Sequence, residues 1–108
     1  MGDSAVKILA IEQELPDVTA GQFDPYLEAE AARVWELYQS GLIRELYFDR
    51  DAHRAVLMLE CPDEIEAQHA LQTLPLVQAG LINFEVIPLI PYSGFGRLFA
   101  QKWGGREE

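Results

Sequence analysis

The order in which hydrophobic patterns change along this chain constrains its fold more than any single motif does. Two kinds of periodicity, near two and near three and a half residues, follow one another in the order strand, helix, strand, strand, helix, strand. Ala5 to Glu14 sets Val6 and Ile8 against the residues between them and reads as a strand. Leu15-Pro16-Asp17 breaks it, and a polar loop runs through Gly21. Asp24 then fits an N-cap with Pro25 in the first helical position, where the missing N–H is not needed. Leu27, Ala31, Val34, Leu37 and Tyr38 fall on one helical stripe, Glu28 and Glu30 lie near the positive end of the helix dipole, and Gly41 is placed to end the helix.

Leu42 to Phe48 reads as the second strand and Ala55 to Glu60 as the third. The connection Asp49 to His53 lacks the Asn-Gly signature of the tightest hairpins and predicts a longer loop. Pro62 stops the third strand, and Asp63 with Glu66 resembles a capping box. The second helix carries Ile65, Ala67, Ala70, Leu71 and Leu74, and Leu74-Pro75-Leu76-Val77 ends it. Gly80 opens the last strand, Leu81 to Ile90, with Ile82, Phe84 and Val86 on one apolar side and Asn83, Glu85 and Ile87 on the other. In the second strand, strict alternation sets Arg44, Leu46 and Phe48 against Ile43, Glu45 and Tyr47 and leaves open which set faces the helices.

A βαββαβ order in 108 residues predicts an α+β fold, a ferredoxin-like sandwich with helices on one sheet face only. The uncovered face points to a homodimer or higher homo-oligomer. Residues 1–90 are read as the domain. Residues 91–108 form a C-terminal tail in which Tyr92, Phe95, Leu98, Phe99 and Trp103 alternate with Gly94, Gly96, Gly104 and Gly105. The tail is too short to be a stable helix alone. Burying its large side chains would contribute roughly 1.5–3 kcal/mol each, so docking on a partner subunit is expected, with docking on its own helices as the alternative.

A net charge of −10 argues against a nucleic acid or an anionic membrane surface as partner. No apolar run approaches the roughly 20 residues of a membrane span, and the start Met1-Gly2-Asp3-Ser4 lacks the pattern of a signal peptide. Cys61 is the single cysteine, which leans to a cytoplasmic protein and reads as a small buried residue. His53 and His69 are too far apart, and too poorly accompanied, to suggest a metal site. No glycine loop has the context of a nucleotide site, so no cofactor is expected.

The chain resembles the dimeric α/β barrel proteins, and within them the muconolactone isomerase-like family. The resemblance rests on the Glu28–Tyr38 helix ending at Gly41, on Leu42-Ile43-Arg44-Glu45-Leu46-Tyr47, on Leu59-Glu60-Cys61-Pro62, and on Leu74-Pro75-Leu76 followed by Phe84-Glu85-Val86. It implies two four-stranded sheets packed face to face across a two-fold axis. It also implies cofactor-free acid–base isomerisation of a small carboxylated or lactone substrate. By this resemblance Arg44 would clamp the substrate's carboxylate and Glu60 would shuttle the proton. Tyr47 stands where the family has an aromatic residue, and His53 lies one residue beyond the place of the family's hairpin histidine. Tyr47, His53, Glu85 and Tyr92 complete the candidate substrate-binding set. The bland readings stand beside these: Arg44 pairing with Glu60 or Glu45, His53 an exposed turn residue, Glu85 facing solvent or a dimer seam, Tyr92 an anchor for the tail. The alternative function is a non-catalytic dimeric module binding a small ligand or a protein, with cofactor-free oxidation of an aromatic metabolite a smaller third reading.

Overall fold

The computed structural model describes residues 5–99. Four strands, β1 (Val6–Glu14), β2 (Ile43–Phe48), β3 (Ala55–Cys61) and β4 (Ile82–Leu89), form one antiparallel sheet in the order β2-β3-β1-β4. The three helices are α1 (Leu27–Gln39), α2 (Glu64–Gln72) and α3 (Pro75–Gln78). The architecture is α+β, and its element and strand orders are compatible with a ferredoxin-like fold.

The sheet's two faces differ because side chains alternate along each strand. Ile8 and Ala10 of β1 and Leu57, Leu59 and Cys61 of β3 point to one side. There they pack with Leu37 of α1, with Ala67, Ala70 and Leu71 of α2, and with Leu74. Ile8, Leu59 and Leu74 are wholly buried. Val86 and Phe84 stand opposite Ala10 and Glu12 and share that side, as the apolar side of the last strand predicts. On the helix-free side Leu9 pairs with Met58 and Ile87, and Ile11 pairs with Val56, so these five apolar residues form a contiguous stripe.

The second strand does not alternate strictly. Ile43 pairs with Leu59, but Glu45 pairs with the very next residue of β3, Met58, so Arg44 is an extra residue in a β-bulge. Ile43 is therefore buried on the helix side while Leu46 and Phe48, opposite Leu57 and Ala55, lie on that side too. Neither of the two alternating sets read from the sequence describes the whole strand.

Local signals govern the connections. Asp63 accepts the Glu66 N–H at 2.8 Å and caps α2 as its sequence predicts. Gly41 follows α1 at φ 90°, a conformation that a Cβ strains. The hairpin loop is long, as expected: Asp49 Oδ1 accepts the Asp51 N–H at 2.9 Å, and Asp49 N–H donates to the Arg54 carbonyl at 2.7 Å. The start of α1 differs from the Asp24 cap. A 3-10 helix, Ala20–Tyr26, precedes it, with Gln22 Oε1 accepting the Thr19 N–H at 2.7 Å and Pro25 inside the 3-10 run. The chain after Leu74 also adds a turn: Pro75 opens α3, which buries Leu76.

Beyond β4 a 3-10 helix, Gly94–Leu98, carries the tail rings. Tyr92 packs edge-on to Phe95 with centroids 5.0 Å apart, and a Cβ at Gly94 would overlap the Tyr92 ring. Tyr92, Phe95, Leu98 and Phe99 stay exposed, so the described part of the tail does not bury itself on its own helices. Trp103 and the rest of the tail lie outside the described residues.

Candidate functional site

The packed core occupies the end of the sandwich where β1 begins and β3 ends. At the other end a smaller buried cluster of Leu76, Leu81 and Ile82, with Phe23 of the 3-10 helix packed against it, borders an open cavity of about 1070 Å³. Its floor includes Leu57, Ile82 and Phe84, and its α1 wall includes Val34, Trp35 and Tyr38.

Two carboxyl groups from opposite walls meet this apolar space. Glu12 continues the helix-facing series Ile8, Ala10 along β1, and is 7% exposed. The β1–β3 ladder ends at Ile11 and Val56, and one residue further on the Ala55 N–H donates to Glu12 Oε1 at 2.8 Å. Glu30 sits within the α1 stripe between Leu27 and Val34 and is half-buried. Its Oε1 accepts the Leu76 N–H, in the first turn of α3, at 2.9 Å. Among the described residues neither group's Oε2 has a protein donor, so each carboxyl is held by one oxygen, and both residues line the cavity. Burial pushes the Glu30 carboxyl above the usual carboxylate range. The Leu76 N–H opposes that shift and the Glu12 charge adds to it. A carboxyl raised by burial beside a second carboxyl is the pattern of acid–base sites.

The residues singled out from the sequence divide between places. Arg44, Tyr47 and His53 line the β2 side of the cavity. The His53 ring, at the positive-φ end of the hairpin, stacks on Phe48 with centroids 4.1 Å apart. Tyr47 Oη donates to Glu45 Oε1 at 3.0 Å, which raises the phenol above its ordinary value. Glu60 is not a cavity residue: it lies opposite Lys7 on the helix-free face, 3.1 Å from Lys7 Nζ and 3.3 Å from Arg44 Nη1. Glu85 lies on that same face opposite Ile11, accepting from Gln13 Nε2 at 3.4 Å. Tyr92 belongs to the tail. Glu12 and Glu30 were legible as acids placed inside apolar periodicities, one of period two and one helical, but a helix-dipole role for Glu30 absorbed the second signal.

Among the described residues no three His, Cys, Asp or Glu side chains are grouped to hold a metal ion. No described helix is long and apolar enough to cross a membrane. Cys61 is buried, and burial raises its thiol, so it is held as the unreactive neutral form. Comparison with known protein families and with curated proteins finds no match to this chain.

Proposed function

We propose that this chain is a cofactor-free acid–base protein of the muconolactone isomerase type, isomerising a small ring compound such as a lactone in the cavity between α1 and the sheet. The observation that carries this reading is the Glu12–Glu30 arrangement: two carboxyls fixed by backbone N–H groups, with an oxygen of each without a protein donor among the described residues and one of them raised above the usual carboxylate range by burial. A carboxylate oxygen takes a proton from the carbon next to the lactone carbonyl. A carboxylic acid returns one to the far end of the resulting dienolate, and the double bond shifts with no change in oxidation state. Glu30 and Glu12 take the role the resemblance gave Glu60, whose oxygens are engaged by Lys7 and Arg44 across the sheet.

The assembly belongs to the same proposal. The uncovered stripe of Leu9, Ile11, Val56, Met58 and Ile87 packs on the same stripe of a second copy, giving a dimeric α/β barrel, and the exposed tail rings add to that contact. A cytoplasmic setting accords with the single unpaired Cys61. Light scattering of a chain ended at Tyr92 checks the tail's part: weakened dimerisation is expected, and an unchanged dimer overturns it.

The test of function is proton exchange and isomerisation of a lactone panel, muconolactone included, followed by NMR in deuterated water. Wild-type turnover that Glu30→Gln abolishes supports the reading, and unchanged turnover in Glu30→Gln overturns it. One observation favours a second reading, a binding module. Trp35, Tyr47 and Phe48 are 57%, 62% and 64% exposed around the cavity, as suits rings awaiting a ligand or protein. Ligand-induced thermal stabilisation without turnover by any panel member favours that reading.

A further inference from the structure

The cavity's charge separates it from a site built for carboxylates. Glu12, Glu14, Asp24, Glu30 and Glu45 all line it, against Arg44 and His53. Arg44 is already drawn to Glu60, 3.3 Å from its Nη1, and the His53 ring lies flat on Phe48. A carboxylated ligand would enter a field of its own sign, in a partly desolvated space where such repulsion is weakly screened. The walls carry a second and independent feature. Trp35 and Tyr38 face each other at 5.9 Å, and Phe23, Tyr47 and Phe48 also line the cavity, so aromatic faces surround the acids. Aromatic faces attract cations, most strongly where water is excluded. Glu12 lines the cavity and is more than nine-tenths buried, and among the described residues only its Oε1 meets a protein donor, the Ala55 N–H.

We infer that the cavity takes a ligand bearing a protonated amine on a flat ring system, and discriminates against the carboxylate of the same skeleton. This rests on the cavity being the working site of the proposed function, and it departs from the carboxylated substrate that the resemblance implies: the lactone expected to turn over is one bearing an amine rather than muconolactone itself. The ring system lies against Trp35, Tyr38 and Phe48, and the ammonium group meets the carboxyl oxygen that Glu12 leaves unused.

Calorimetric titration of the full chain with naphthylmethylamine, naphthylmethanol and naphthoate holds the carbon skeleton constant and varies the polar group and its charge. The amine is expected to bind at least about tenfold more tightly than naphthoate, with the alcohol between. Added salt should narrow that ratio. Glu12→Gln, whose amide oxygen can still accept the Ala55 N–H, should reduce the ratio while leaving circular dichroism and melting behaviour close to wild type. Naphthoate binding as tightly as the amine overturns the inference, and so does failure of all three probes to bind. Amine-selective binding without isomerisation of any lactone supports the charge preference and overturns the acid–base reading. Isomerisation with no preference for the amine does the reverse.

Discussion

Glu30 Oε1 and the Leu76 N–H, 46 residues apart in the chain, are joined at 2.9 Å across the gap between α1 and α3. The bond ties the first turn of a four-residue helix to the long helix and leaves Glu30 half-buried, short of water and near Glu12.

That position makes stability depend on pH in a definite direction. Because the Glu30 carboxyl is raised, the folded state holds more protons than the unfolded state between the ordinary and the raised value. Its contribution to stability is therefore fully present at low pH and declines as pH rises through that window. Glu30→Gln keeps an acceptor for Leu76 and removes the titration. Wild type should lose stability relative to Glu30→Gln as pH rises through the window; parallel melting curves across pH would contradict this.

Glu12 supports a partly buried backbone donor. Replacing it with Ala leaves the Ala55 N–H without its partner and should cost about 1–3 kcal/mol in urea unfolding. Glu12→Gln should recover most of that loss. Equal losses in the two variants would show that charge, rather than the hydrogen bond, matters to the fold.

Arg44 and Glu60 form a partly exposed pair, 55% and 27% exposed at the side chain. Arg44→Ala should therefore change stability by no more than about 1 kcal/mol. A markedly larger loss by denaturant titration would mean that the bulge itself depends on this side chain.

Gly41 holds φ at 90° at the end of α1, with open space where a Cβ would project. Gly41→Ala should destabilise by about 1–2 kcal/mol through backbone strain alone. A neutral result in the same titration would place the strain elsewhere in the turn.

Much of the sandwich was legible in the sequence because its devices are local. The Asp63 cap, the Gly41 stop, the long Asp49 loop and the apolar side of β4 each depend on a few neighbouring residues. What was not legible depends on distant pairing. The bulge at Arg44 is defined by the register of β3, which periodicity within β2 cannot reveal. The 3-10 start of α1 turns on Gln22 reaching back to Thr19, upstream of the more conspicuous Asp24-Pro25. For the candidate site, Arg44, Tyr47 and His53 were within reach of a reading along one hairpin, and the cavity gathers them. Glu12 and Glu30 meet only when β1 and α1 are packed together, and Glu60 is separated from them by the alternation of strand faces.

The single extra residue in β2 works as a change of reading frame in space. Before it, the strand spends Ile43 on the sealed interior; after it, the same strand turns Leu46 and Phe48 inward while Tyr47 and Glu45 stay within reach of the cavity. A regular ladder that kept Arg44 in register and held Ile43 inward would turn Glu45 and Tyr47 towards the helices and Leu46 and Phe48 away from them; deleting Arg44 would remove the bulge and leave every one of these faces as it is. One insertion thus lets an edge strand close the core at one end and furnish a chamber at the other.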